Sequence, residues 1–309
     1  MNLAPIVIFA YNRPGHIRQT IEALKNNKLA KESDLFVYSD AAKNDEAINS
    51  VKEVREYIKT INGFKNISII QREINLGLAK SIIEGVTDII NDYGKIIVLE
   101  DDLIVSPFFL EYMNSALTKY DNASQVMQIS GYMFPVEVNT DEDAFFLPLT
   151  TSWGWGTWKR VWDHFDTEAK GMEVLKKNKE LRLNFNLDGA YNYYGMLEKY
   201  FNGLVDSWAI RFYLFVFLQN GLALYPVRTL ILNKGFDGIG THSEAPPWEK
   251  NNSVPDYRVK LFPERIEVND DLFGMVKSII ADRGTGSISG PAKRIFRRLK
   301  RNFLKLSGI

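Results

Sequence analysis

The sequence predicts an α/β fold, a mostly parallel sheet flanked by helices on both faces. Three observations carry this. Apolar runs of strand length alternate with stretches of helical spacing through about four βα steps in the first 120 or so residues. Each of these strands then ends in polar groups, the usual place for ligands in such sheets. With 309 residues, 45% hydrophobic and 25% charged, the chain can build a sizeable core, and disorder, collagen and coiled coil are excluded.

Taken in order, Pro5 to Ala10 is a continuous apolar run that reads as a buried strand, and Ile17 to Leu24 changes to helical spacing. Leu35 to Ser39 is a strand, Ile48 to Ile61 a helix, Ile67 to Gln71 a strand, Leu78 to Ile90 a helix and Ile96 to Leu99 a strand. After about residue 130 the pattern turns irregular, with Trp and Gly alternating in Ser152-Trp153-Gly154-Trp155-Gly156-Thr157-Trp158, followed by helical spacing from Leu175 to Leu218. No linker, repeat or low-complexity segment interrupts this. The reading is one domain over 1–286, in halves 1–131 and 132–286, with a separate tail at 287–309.

Lys+Arg and Asp+Glu both total 38, so overall charge gives no sign of a nucleic-acid partner. The tail differs: Lys293, Arg294, Arg297, Arg298, Lys300, Arg301 and Lys305 are unopposed by any acid, which leaves 31 basic against 38 acidic groups elsewhere. Ala292, Ile295, Phe296, Leu299, Phe303 and Leu306 fall along one helical face, which fits an amphipathic helix lying on an anionic membrane surface; a solvated or RNA-attracting tail is the alternative. With no cysteine, disulfides, thiol nucleophiles and Cys-based metal sites are excluded, and any metal must be held by oxygen or histidine. The start, Met1 to Ala10, reads as a first strand rather than a signal peptide, and no apolar run reaches the roughly 18 residues of a membrane span.

Glu100-Asp101-Asp102 leaves the end of a buried strand, and three carboxylates so close repel unless a cation sits among them. Such an oxygen-rich site suits Mn2+ or Mg2+ held partly by a substrate diphosphate; the alternative is an acidic turn before the helix near Pro107, which needs only one of the acids. Ile97-Val98-Leu99-Glu100-Asp101-Asp102-Leu103, followed by Ser106-Pro107-Phe108-Phe109-Leu110-Glu111-Tyr112, resembles the Glu-Asp-Asp segment of N-acetylglucosaminyltransferase I and its bacterial relatives. These are inverting, metal-dependent glycosyltransferases of the GT-A (Rossmann-like) fold, and the resemblance runs from Ile6 to about His242.

The resemblance implies that Asp102 binds the metal, that Asp101 faces the ribose and metal-bound diphosphate, and that Glu100 faces the donor sugar. It places Tyr11, Asn12 and Arg13 in the loop that cups the base, and Asp40 as the acid that hydrogen-bonds uracil; a plain turn is the alternative for Asp40. Arg72 and Asn75-Leu76-Gly77 match a loop that packs on the donor, though Gly77 also fits an ordinary helix start. Trp155 and Gly156 are expected beside the donor, a backbone close to the ligand under aromatic walls, with Trp162 and Trp158 as core. Val205-Asp206-Ser207-Trp208-Ala209-Ile210-Arg211 resembles the segment that carries the family's base, which makes Asp206 the candidate to deprotonate the acceptor, with helix capping as its alternative. The loop Gly235 to Ser243 could wrap a diphosphate, and His242 could complete the metal shell, bind phosphate or be an exposed loop histidine.

Together these imply an inverting transfer of a sugar from a nucleotide diphosphate, most simply a UDP-sugar, to a glycan or polyprenyl-linked glycan in surface polysaccharide assembly, with Mn2+ or Mg2+, at the cytoplasmic face of a membrane. The rivals are a noncatalytic glycan-binding or scaffold protein of the same fold and a sugar-1-phosphate nucleotidyltransferase. Tyr11-Asn12-Arg13-Pro14-Gly15 lacks the glycine-rich basic loop of the latter, and no Gly-x-Gly-x-x-Gly supports a dehydrogenase.

Overall fold

The computed structural model describes residues 3–137, 140–236 and 256–282. In chain order the elements are β1 (Ile6–Ala10), α1 (Pro14–Lys25), β2 (Asp34–Ser39), α2 (Ile48–Ile58), β3 (Asn66–Gln71), α3 (Leu78–Tyr93), β4 (Lys95–Glu100), β5 (Leu103–Val105), α4 (Phe109–Lys119), β6 (Val126–Ser130), β7 (Ala144–Leu147), β8 (Trp155–Trp158), α5 (Lys159–Trp162), α6 (Met172–Lys177), α7 (Lys179–Phe185), α8 (Tyr193–Phe201), α9 (Trp208–Leu218), β9 (Leu222–Pro226), β10 (Ile231–Asn233) and α10 (Asp270–Asp282).

Eight strands form one sheet in the order β3-β2-β1-β4-β8-β6-β9-β7, and β10 pairs antiparallel with β5 beside it. β1 pairs in parallel with β2 and β4, Ile6 lying opposite Leu35 on one side and Ile97 on the other. Only β8 and β7 run against the common direction. Every residue of β1 is buried, which is why its sequence is a continuous apolar run and not an alternating one. Helix α1 starts with Pro14 in its first turn and buries Ile17, Thr20, Ile21 and Leu24 at helical spacing. Helix α3 is closed by Gly94, left-handed at φ 76°.

From β1 the chain steps outward to β2 and β3, then returns to β4 and builds in the other direction. β1 and β4 therefore flank the point where strand order reverses, where the carboxyl ends of the strands open a crevice. This fixes Tyr11 to Arg13 and Glu100 to Asp102 as neighbours.

Two readings gain detail. The half from residue 132 onward contributes three more strands, β7 to β9, to the same sheet, beside β6 just before it; strands of four or five residues are too short to set a visible period. The helical spacing from Leu175 to Leu218 divides into α6 to α9, with left-handed Leu187, Asp188 and Gly189 ending one stretch and Gly203 another. Among the described residues no helix is long and apolar enough to cross a membrane. The tail 287–309 lies outside the described residues, as do His242 and the loop from residue 237 onward.

Candidate active site

At the crevice, the Arg13 guanidinium spans two carboxylates: Nη1 donates to Asp102 Oδ2 at 2.7 Å and Nη2 to Asp101 Oδ1. The side chains are 16% exposed for Arg13, 2% for Asp101 and 9% for Asp102. The resemblance sets Arg13 in the loop that cups the base; in the structure its guanidinium lies on the two acids. Asp101 is further fixed by the Tyr11 amide, 3.2 Å from its Oδ2, and by Thr20 Oγ1, which donates to its carbonyl at 2.8 Å. The Tyr11 hydroxyl accepts from the Lys43 amide at 3.0 Å, tying the loop after β1 to that after β2. Asn12 is half-buried between these anchors.

One guanidinium does not balance three acids. Burial, then the charges of Asp102 and Asp101, push the Glu100 carboxyl up to about 8 against the pull of Arg13. Burial also raises Asp101, with Arg13 opposing it. Among the described residues no three His, Cys, Asp or Glu side chains are gathered as a finished metal cage. The donor set nonetheless fits a hard divalent cation that shares its remaining ligands with a substrate: it is all carboxylate oxygen, it carries excess negative charge, and Asp102 Oδ1 has no hydrogen-bonding partner among the described residues.

Asp40, 8% exposed, accepts from the amides of Ala41 (2.9 Å), Leu76 (2.9 Å) and Gly77 (3.0 Å). Three donors leave a carboxylate about one free acceptor position. Asp40 thus braces the 75–77 loop, more than the plain turn that was its alternative, and Asn75 Nδ2 reinforces this by donating to the Ala41 carbonyl at 2.7 Å. Gly77 caps α3 at φ 73°, with nothing within 4 Å of a Cβ, so backbone conformation and not close approach demands glycine there. The Arg72 guanidinium lies over the Tyr38 ring, 5.2 Å from its centroid, and 3.4 Å from Glu84; its buried Nε and Nη2 make no hydrogen bond.

Asp102 is also walled by the segment after β10. The Lys234 amide donates to its carbonyl at 2.8 Å, and the Lys234 carbonyl lies 3.1 Å from His16 Nε2. A Cβ on Gly235 would fall 2.1 Å from Asp102 Oδ2, so only glycine lets the backbone pass. The sequence marked this glycine as part of a rich loop but gave no sign of which acid it touches.

Trp155 and Gly156 are corrected to core residues. Trp155 is 1% exposed, opposite Val98 in the sheet, and stacks on Trp208 (4.8 Å between centroids) and Trp162 (5.9 Å). Gly156 faces the Ile96 carbonyl and Met113. The aromatic surface at the crevice is instead Trp153, packed edge-on against Tyr132 (4.5 Å) and Phe236 (5.6 Å). Trp153 lies just before β8, whose first residue Trp155 sits opposite Val98, two residues short of Glu100. Trp153 and Trp155 stand two residues apart, the period of a strand, and β8 begins only at Trp155, so sequence alone does not say which of the two lies within the strand.

Helix α9 leads into β9, which runs parallel to β6, so its N-terminus lies toward the carboxyl edge of the sheet. Ser207, not Asp206, is its N-cap, accepting from the Ile210 amide. Asp206, its side chain 62% exposed, pairs with Arg211 Nη2 at 2.9 Å. Arg211 is itself buried and clamped by the carbonyls of Ser207 and Thr167 and the Tyr200 hydroxyl. Among the described residues no hydrogen bond or ion pair joins Asp206 to the carboxylate cluster; the two groups share an edge of the sheet.

The family model described as "Glycosyl transferase family 2" matches residues 6–182, more than half of the chain. Comparison with curated proteins gives no match. Among solved structures, S. aureus TarS is 15% identical with a TM-score of 0.38, over 53% of this chain and 30% of that one. A 1–349 fragment of TarS in complex with UDP-GlcNAc is 15% identical with a TM-score of 0.34, over 48% and 40%. The mannosyltransferase PcManGT from Pyrobaculum calidifontis, in complex with GDP-Man and Mn2+, is 9% identical with a TM-score of 0.37, over 56% and 54%. The chain thus covers less than half the length of the TarS chains it matches. None of these matches singles out N-acetylglucosaminyltransferase I; by the family match and the sheet that carries it, this chain belongs to glycosyl transferase family 2 and is a glycosyltransferase of the GT-A fold.

Proposed function

We propose that this glycosyltransferase moves a sugar from a UDP-sugar, with inversion and a divalent Mn2+ or Mg2+, to a hydroxyl of a glycan or polyprenyl-linked glycan in surface polysaccharide assembly. The observation that carries the donor half is the set of Glu100, Asp101, Asp102 and Arg13 at the crevice where strand order reverses. A nucleotide sugar brings a diphosphate, and this is where charge must be balanced as it departs.

Asp102 would hold the cation through Oδ1, which has no hydrogen-bonding partner among the described residues. When bound, the cation supplies electrostatic stabilisation of the leaving diphosphate. Asp101, fixed by Tyr11 and Thr20, keeps the loop after β1 against that group. Glu100 and the Trp153 face border the donor sugar, the ring stacking on its C–H surface. The acceptor oxygen attacks the anomeric carbon as the C1–O bond to diphosphate breaks; its proton passes to an Asp206 carboxylate oxygen, and the electron pair leaves with the diphosphate. Arg211 orients that carboxylate. The basic tail 287–309 would keep the enzyme at an anionic membrane on the cytoplasmic side, where a polyprenyl-linked acceptor is presented.

The test is UDP release from a panel of UDP-hexoses and UDP-N-acetylhexosamines with lipid-linked glycan acceptors and Mn2+. Asp206→Asn is expected to lower kcat by about 100-fold or more while leaving UDP affinity unchanged. Full turnover by that variant would remove Asp206 as the base.

A further inference from the structure

We propose that Arg13 is an exchangeable counter-ion: it closes Asp101 and Asp102 together before the donor arrives, and it passes to the donor's diphosphate when a divalent cation takes its place on Asp102. This rests on the metal reading above and gives Arg13 a function which that reading leaves out.

The two acids are fixed, whereas the arginine is the movable part. Asp101 is anchored at its carboxylate by the Tyr11 amide and at its carbonyl by Thr20. Asp102 is anchored through its carbonyl by the Lys234 amide and crowded by Gly235. Arg13 is the N-cap of α1 at φ −120° and ψ 77°, its carbonyl accepting from the Ile17 amide at 3.1 Å, and among the described residues its guanidinium bonds only to these two carboxylates. A guanidinium swings on a long side chain; a strand end does not.

The exchange follows from charge. A guanidinium on Asp102 Oδ2 and a divalent cation on the same carboxylate repel each other, while a guanidinium driven off without a new partner leaves the buried Asp101 carboxylate without its ion-pair partner. A diphosphate relieves both problems, because its paired oxygens accept the planar fork as a carboxylate pair does. Cation and nucleotide therefore assist one another's binding, and by linkage each raises the other's affinity by the same factor. Arg13 also prevents the site from filling with free metal when no donor is present, which makes it a determinant of selectivity for the metal–nucleotide pair.

The experiment titrates Mn2+ into the full chain and follows free Mn2+ by its electron paramagnetic resonance signal, with and without saturating UDP, for wild type, Arg13→Gln, Arg13→Lys and Asp102→Asn, each checked for folding by circular dichroism. Wild type is expected to bind Mn2+ weakly alone and about tenfold or more tightly with UDP, within the usual range of such couplings. Arg13→Gln is expected to bind Mn2+ alone more tightly than wild type and to lose most of the UDP effect. Arg13→Lys, which keeps the charge but not the fork, should fall between, and it keeps the test open if the glutamine variant does not fold. Asp102→Asn should bind little Mn2+ in either state. Folded Arg13 variants that bind Mn2+ alone no more tightly than wild type would overturn the exchange while leaving the metal reading intact. Wild type that takes up no Mn2+ even with UDP would overturn both.

Discussion

Replacing Gly235 by alanine tests the packing of the crevice at its tightest point. The added Cβ would lie 2.1 Å from Asp102 Oδ2, 3.0 Å from its Cγ and 3.1 Å from Asn233 Oδ1, whereas ordinary contact begins at 3.4 Å. One side must therefore retreat by about 1.3 Å, the difference between 3.4 and 2.1 Å. If Asp102 moves, it leaves Arg13 Nη1 at 2.7 Å; if the backbone moves, the 2.8 Å bond from the Lys234 amide to the Asp102 carbonyl opens and the Asn233–Leu103 pairing with it. A displacement of roughly 1 Å at reacting groups costs about 100-fold in rate, or about 2.7 kcal/mol in the barrier. The overpacking cost to stability is about 1–3 kcal/mol and falls on the two-stranded ribbon, not the main sheet. The assay measures UDP release from the donor beside thermal unfolding. The expected result is kcat/KM about 100-fold lower in a protein that still unfolds cooperatively; a variant with wild-type kcat/KM would refute the claim that this backbone positions Asp102.

Two further outcomes separate core from site and test an ionic anchor. Trp155→Ala should cost about 3–5 kcal/mol by emptying the space between Trp162, Trp208 and Phe212, lowering Tm by about 10 °C, without changing UDP affinity; Trp153→Ala should change donor affinity or turnover with a smaller loss of stability. A Trp155 variant that melts normally but loses UDP would return that residue to the site. Asp143 accepts from the Tyr257 hydroxyl and the amides of Lys260 and Leu261. Burial works to raise its carboxyl, but these hydrogen bonds, with the charge of Lys260, outweigh it and hold the carboxyl below the usual range. Its folded value being the lower one, the stability it gives is present above the unfolded value of about 4 and is lost as pH falls through the folded value. Asp143→Asn should thus lower Tm by a few degrees at pH 7 and flatten the acid side of the Tm–pH curve; an unchanged slope below pH 4 would contradict it.

The first half of the fold was legible because β1 and β4 are buried along nearly their whole length and its helices are long enough to show a period. β1 and α3 are the clearest cases, an apolar run and a helix preceded by Gly77. The second half was not, because β6 to β9 are short and α6 to α8 are broken by left-handed residues that propensity does not mark. At the site, the motif after β4 drew attention to Asp101 and Asp102, yet the partner of both, Arg13, lies 88 residues or more away in sequence, and only pairing β1 with β4 brings it near. The clamp on Asp206 was half visible as an Asp and an Arg five residues apart; its other members, Thr167 and Tyr200, come from separate segments. Trp155 and Trp153 differ by two residues, the period of a strand, so sequence alone could not say where the strand stops and the crevice begins.

The account's central claim is that Asp102, at the carboxyl end of β4, couples a divalent cation to a nucleotide diphosphate. The most direct measurement is calorimetric titration of UDP into wild type and Asp102→Ala, each with Mn2+ and with EDTA. The account predicts binding by wild type with Mn2+, sharply weaker binding in EDTA, and equally weak binding by Asp102→Ala in both. UDP binding that is indifferent to Mn2+ and to the loss of Asp102 would contradict it.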